Sequence, residues 1–175
     1  MELPWLEDRH VLLDTNVLIN HTKNEGALTP FLALVKDHNC PLVITDAFYF
    51  EFIRAARTRA ELTELHVFIE PFIALPTTKQ DIEVAAELSM FCSAKEKSHG
   101  TRMSFVDNLL GSQLKKYGEK IVLATSDIDD FPLEMYTRLH VEAYDLGKNV
   151  VMIAFIEYNQ DKAKACRDTF ERKTT

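Results

Sequence analysis

The sequence is poor in three things, and each shortage removes a class of protein. Cysteine is scarce: Cys40, Cys92 and Cys166 are odd in number, far apart and outside any C-x-x-C pair. That excludes a disulfide framework and a cysteine-built zinc site, and leaves three reduced thiols as the expectation. Positive charge is also short, with 20 Lys and Arg against 27 Asp and Glu and a formal net charge of -7. A protein that holds nucleic acid chiefly through a basic surface has the opposite balance, because Lys and Arg must replace counterions. An enzyme with local basic patches is still allowed. Long apolar runs are missing too. The longest, Val150 to Ile156, falls far below the roughly 20 residues that span a bilayer. Met1 to His10 carries Glu2, Glu7 and Asp8 and has no apolar run, so it does not read as a signal peptide. These shortages predict a cytoplasmic protein with no membrane partner.

What is present fits one domain over residues 1–175: 46% hydrophobic and 27% charged residues, with no internal repeat, low-complexity segment or linker. The organising stretch is Val11-Leu12-Leu13-Asp14-Thr15-Asn16. A short apolar run that breaks at a carboxylate predicts a buried parallel strand whose carboxyl end opens into a helix. In a doubly wound sheet, ligands bind at such ends. Asp, Thr and Asn are also good helix caps, so this stretch alone leaves both readings open.

Pro41 to Thr45, Phe72 to Leu75 and Ile121 to Ala124 predict three further strands, with a fifth at Leu139 to Tyr144 whose polar alternation suits a sheet edge. Helices are expected from Asn16, from Thr29-Pro30, from Thr45 or Asp46 towards Ala60, over Glu61 to about Glu70, and from Thr77 or Thr78 through Phe91. Strands alternating with helices imply a parallel sheet. The tract Asn149 to Lys173 reads as a helical extension, beginning at about residue 147, with an apolar start and a charged end.

Four more acids lie at the ends of buried elements. Glu51 sits among aromatic and aliphatic residues, either turned into a site or reaching to water from a partly exposed face. Arg54 falls one helical turn on and Thr58 two, so Arg54 is placed to steady that carboxylate or to meet a phosphate. Asp107 follows Ser104 in the spacing S-x-x-D, which resembles a capping box. Gly111, one turn further, predicts close packing of that helix on the sheet, which would carry Asp107 towards the strand ends. Thr125-Ser126-Asp127-Ile128-Asp129-Asp130 repeats the opening design of apolar strand, small hydroxyl residue and carboxylate. The tract Lys95 to Gly100 reads as a surface loop or an RNA contact.

Converging carboxylates repel one another unless they are protonated, paired or neutralised by metal. Oxygen ligands without His or Cys select Mg²⁺ or Mn²⁺, ions that bind through few carboxylates plus phosphate oxygens. The chemistry this predicts is metal-assisted hydrolysis of a phosphodiester, in which the ion activates water and stabilises the leaving oxygen.

Taken in order, these segments resemble those of a PIN-domain nuclease over roughly residues 9 to 145. Val11 to Asn16 is similar to the family's opening strand with its first acid, Asp14. Glu51 resembles the second acid, Asp107 the third and Asp127 the fourth, with Asp130 as an auxiliary ligand in a segment similar to T-x-[DN]-x-x-[DH]-F. The resemblance implies an α/β/α sandwich with a parallel sheet in the order 3-2-1-4-5. It implies Mg²⁺- or Mn²⁺-dependent cleavage of RNA at Asp14, Glu51, Asp107 and Asp127, with Thr15, Asn16 and Thr125 hydrogen-bonding the ligands. Many small members, the VapC-like ones, are toxins held by an antitoxin, and a homodimer is the usual assembly. Here the chain runs on through Val150 to Thr175. The competing readings are a PIN-like module that binds RNA or protein without cutting and, ranked last, an aspartyl-phosphate phosphatase or receiver, for which Asp14-Thr15-Asn16 lacks a second Asp two residues on.

Overall fold

Alternation along three central strands divides the core into two layers, one on each face of a sheet. The computed structural model describes residues 3–23, 26, 28–93, 104–146 and 149–174. In β1 (His10–Leu13), Val11 and Leu13 join one apolar cluster and Leu12 the other. In β4 (Ile121–Thr125), Val122 and Ala124 separate in the same way from Ile121 and Leu123. Strands buried on both faces need a helical layer on each side. The first layer is α1 (Thr15–Lys23), α2 (Thr29–Asp37), α3 (Asp46–Ile53) and α4 (Arg59–Ile69), anchored by Val17, Phe31, Phe48 and Ile69. The second is α5 (Lys79–Ser93), α6 (Phe105–Tyr117) and α7 (Gln160–Thr174), anchored by Leu88, Leu110 and Ala163. The molecule is therefore an α/β/α sandwich.

The sheet is mixed, not purely parallel. With β2 (Leu42–Thr45), β3 (Ile73–Leu75), β5 (Tyr136–Asp145) and β6 (Val150–Tyr158), its order is β3-β2-β1-β4-β6-β5. The β3-β2-β1-β4 half is parallel, as the sequence predicts, and β6 is antiparallel to both its neighbours. This corrects the expected 3-2-1-4-5 order and the helical reading of residues 149–173. The chain passes from β4 to the edge strand β5, then returns as β6 to fill the gap. Ile153, Ala154, Phe155 and Ile156 are all buried. Four consecutive buried side chains suit a central strand, whereas a helix starting there would turn part of the run to water. β5 buries Tyr136 and Tyr144 near its ends, mixes half-buried and exposed residues between them, and takes the edge, as its polar pattern predicts.

Only the end of the tail is helical. Phe170 meets Phe91 edge-on with ring centroids 5.3 Å apart, and Arg167 pairs with Glu87 at 3.1 Å. α7 is thus a packing helix against α5.

Helix starts follow their sequence signals closely. Thr45 caps α3 by accepting from Phe48 N at 3.1 Å. Thr78 and Asp81 exchange bonds at the start of α5, with Thr78 N donating to Asp81 Oδ2 at 2.8 Å. Thr29 differs: it is the first residue of α2, Leu28 holds the cap position, and the Thr29 hydroxyl turns back to Gly26 O. The expected long helix towards Ala60 stops at Ile53, and a new one starts from a Thr58–Glu61 capping box.

Candidate active site

The parallel register sets the ends of β1 and β4 side by side. Leu13 pairs with Ala124, and Asp14 N extends the ladder to Ala124 O at 3.0 Å. The next residues, Asp14 and Thr125, therefore meet at the point where the chain order reverses, with β2 and β3 on one side of β1 and β4 on the other. That switch point is where an open α/β sheet leaves a crevice at its carboxyl end.

Asp14 is 5% exposed. Its Oδ2 accepts from the Thr125 hydroxyl at 2.6 Å and from Asn16 Nδ2 at 2.7 Å. The same Asn16 amide reaches Asp127 Oδ2 at 3.0 Å, with Thr125 Oγ1 further away at 3.3 Å. Ser126 N donates to Asn16 Oδ1 at 3.0 Å, which fixes which end of the amide faces the acids. Asp127 N donates to Thr125 Oγ1 at 2.9 Å. Asn16 and Thr125 therefore bind two carboxylates from opposite ends of the chain into one unit.

Burial nonetheless dominates the energetics of Asp14. It pushes the carboxyl up from 3.8 to about 6, against the lowering effect of the Thr125 hydroxyl, and the charges of Asp107 and Asp127 push the same way. The shift corresponds to about 3 kcal/mol, at 1.36 kcal/mol per unit, disfavouring the ionised form.

Asp107 caps α6 and stands near two other acids. Its backbone N–H donates to Ser104 Oγ at 3.2 Å, and Ser104 N donates to Asp107 Oδ2 at 2.8 Å, so the capping box predicted from S-x-x-D is formed. Its carboxyl is also raised: burial contributes most, Ser104 opposes it, and Asp130 and Asp127 add to it. The carboxyl therefore lies within electrostatic reach of the Asp127–Asp130 loop. Gly111 does give close packing, but onto side chains rather than the sheet backbone. A Cβ there would stand 2.5 Å from the Tyr136 hydroxyl oxygen and 3.2 Å from Leu88 Cδ1.

Glu51 is half-buried on α3, and the Thr15 hydroxyl donates to its Oε2 at 3.0 Å. Asp130 ends the 3-10 turn Ile128–Asp130 that follows Asp127. Arg54 is not brought into this group. It is the exposed C-cap of α3, and among the described residues it forms no ion pair with Glu51. Thr58 lies beyond the helix break, so the expected two-turn spacing from Glu51 does not exist. Lys115 and Lys116 are held by Glu87 and Asp81, each at 3.1 Å. The Lys95 to Gly100 tract lies outside the described residues. Cys40 and Cys166 are free thiols.

Among the described residues, no three His, Cys, Asp or Glu side chains stand close enough to form a ready-made metal cage. The donor set is oxygen-only, and it pairs a buried acid with an exposed one through a single amide. It fits a hard cation that keeps several waters and needs one or two carboxylates, not an ion that must be stripped of water. Asp14 and Asp127 would hold such an ion, with Asp107, Glu51 and Asp130 adding negative potential. Sequence reasoning missed Arg138, Asn20 and Met152, which line a cleft beside Asp127 and Asp130. Met152 reaches that cleft because Val150 to Ile156 is a strand beside β4 and not part of a helix. The chain matches no family model and no curated protein.

Proposed function

We propose that the chain is a metal-dependent ribonuclease of the PIN type, hydrolysing RNA phosphodiester bonds at Asp14, Glu51, Asp107 and Asp127 with Asp130 alongside. The observation that carries this reading is the burial of Asp14 at the sheet's switch point, tied to Asp127 through Asn16 and Thr125, where burial first and neighbouring acids second push its carboxyl up. A purely structural pair of caps has no need to bury one carboxylate next to others, because the arrangement costs stability. Mg²⁺ or Mn²⁺, when bound, neutralises this charge and polarises the phosphodiester for attack by water.

The chain's own residues prepare the site for that. Thr125 and Asn16 hold Asp14 to one orientation, and Asn16 holds Asp127 at the same time. Thr15 fixes Glu51. Asp107 is carried on the first turn of α6, where the capping box locks its backbone.

A second reading, a PIN-like module that binds RNA or protein without cutting, draws on the absence of a tight three-acid group among the described residues. Incubation with a pool of labelled RNAs separates the two. The nuclease reading predicts Mn²⁺-dependent cleavage by wild type and none by Asp14→Asn; RNA retained intact by both proteins would favour the binding module. If the chain is the toxin of a toxin–antitoxin pair, its expression arrests growth and expression of Asp14→Asn does not.

A further inference from the structure

The register of β6 has a consequence at the mouth of the site. Thr125, the last residue of β4, pairs with Ala154, so residues 150–153 of the antiparallel β6 overhang the end of β4 on the side where the acids lie. Hairpin pairing with β5, from Asp145↔Val150 to Ala143↔Met152, stiffens that overhang into a ledge. Between the ledge and the Asp127–Asp130 loop lies an open cleft of about 520 Å³, within the roughly 300–1,000 Å³ typical of ligand sites.

The two sides of the cleft differ in chemistry. Asp127, Asp129 and Asp130 form one wall, and Val150, Val151 and Met152 form another, with Val150 63% and Met152 44% exposed. Among the described residues Arg138 is the one basic residue of the lining, and Asn20 lies there as well. Arg138 reaches the fully exposed Asp129 at 3.8 Å, an open ion pair that a better anion displaces at little cost. The register shift between Arg138 and His140 marks a bulge, a device that re-aims side chains on an edge strand.

We propose that this cleft holds the nucleotide next to the scissile phosphate, its phosphate on Arg138 and its base against the Val150–Met152 ledge. The inference rests on the nuclease reading. A guanidinium fork matches phosphate oxygens two at a time, and an exposed apolar surface accepts the face of any base. A strand lying this way spans from the acids to the cation, which orients it across the site.

The test is fluorescence anisotropy of a labelled six-nucleotide 2′-deoxy oligonucleotide, binding wild type, Arg138→Ala, Arg138→Lys and Met152→Ala in Ca²⁺ over a salt series. Thermal transitions establish that the variants fold, and Mn²⁺-dependent cleavage of the ribo-oligonucleotide is measured in parallel. Arg138→Ala is expected to weaken binding about tenfold, to reduce the salt slope by about 1 and to raise KM more than it lowers kcat. Arg138→Lys keeps the slope and recovers part of the affinity, and Met152→Ala weakens binding without changing the slope. Wild-type affinity and slope in Arg138→Ala, with cleavage intact, would overturn the cleft assignment and leave the nuclease reading standing. Wild type that neither binds nor cleaves RNA would remove both.

Discussion

Thr125 and Asp14 are 111 residues apart in the chain, and the Thr125 hydroxyl donates a 2.6 Å hydrogen bond to Asp14 Oδ2. That bond exists because the parallel register of β1 and β4 brings the two strand ends level. It limits, without cancelling, the cost of burying a carboxylate. The balance makes several predictions.

Asp14 should set part of the pH dependence of stability. Its folded pKa, about 6, lies above the ordinary 3.8, so between these values the folded chain keeps a proton that the unfolded chain has released. Stability from this group is therefore full below 3.8 and is lost as pH rises through about 6, by up to about 3 kcal/mol. Asp14→Asn removes that term. Urea titrations in metal-free buffer from pH 4 to 8 should show the variant gaining on wild type as pH rises. Asp107 shifts the same way and Asp81 the opposite way, so the difference between the two proteins, not the wild-type curve, is the quantity to read. A pH-independent difference would contradict the burial account.

Asp107 should separate into its two roles. Asp107→Asn keeps an oxygen for Ser104 N and should leave the thermal transition within about 0.5 kcal/mol of wild type, whereas Asp107→Ala loses the cap and about 1 kcal/mol. Both should lose cleavage. Equal activity in Asp107→Asn and wild type would make this acid a cap alone.

Asn16 bridges two carboxylates with one amide. Asn16→Ala should cost about 1–3 kcal/mol, and Asn16→Asp more at pH 8 in EDTA, because a charge replaces the donor between two acids. Added Mn²⁺ should restore much of the loss in Asn16→Asp. An Asn16→Asp protein as stable as wild type in EDTA would show that the acids do not share this amide.

Gly111→Ala should destabilise by about 1–3 kcal/mol, since the new methyl meets the hydroxyl of the fully buried Tyr136. In a double-mutant cycle with Tyr136→Phe, which removes the clashing atom, the two changes should couple by 0.5 kcal/mol or more. Simple additivity would mean that α6 does not pack as described.

Much of the fold was legible where local chemistry and tertiary demand agree. The parallel strands β1 to β4 are short β-rich apolar runs between helical segments, and the caps Thr45, Thr78 and Ser104 sit in standard spacings. β6 was not legible, because a continuous apolar run has no period and suits either a buried helix or a buried strand. The gap beside β4 decides between them, and a gap is a tertiary fact. The break after α3 does have a signal: Thr58-Arg59-Ala60-Glu61 is a capping box, set among helix-compatible residues that mask it.

The candidate site was legible as a set of residues and not as a geometry. Asp14, Asn16, Thr125 and Asp127 converge because they follow adjacent strands, which the strand pattern implies. The exposed position of Arg54 depends on where α3 stops, and the cleft that Arg138 shares with Val150 to Met152 depends on β6. Both lie beyond what spacing alone conveys.

The most direct test of the central claim is calorimetric titration of the chain with Mn²⁺, wild type beside Asp14→Asn at pH 7.5. Saturable binding by wild type, lost in the folded variant, is the result this account predicts. Equal binding by both proteins, or none by either, would contradict it and leave the buried acid at the switch point as a structural feature of the sheet.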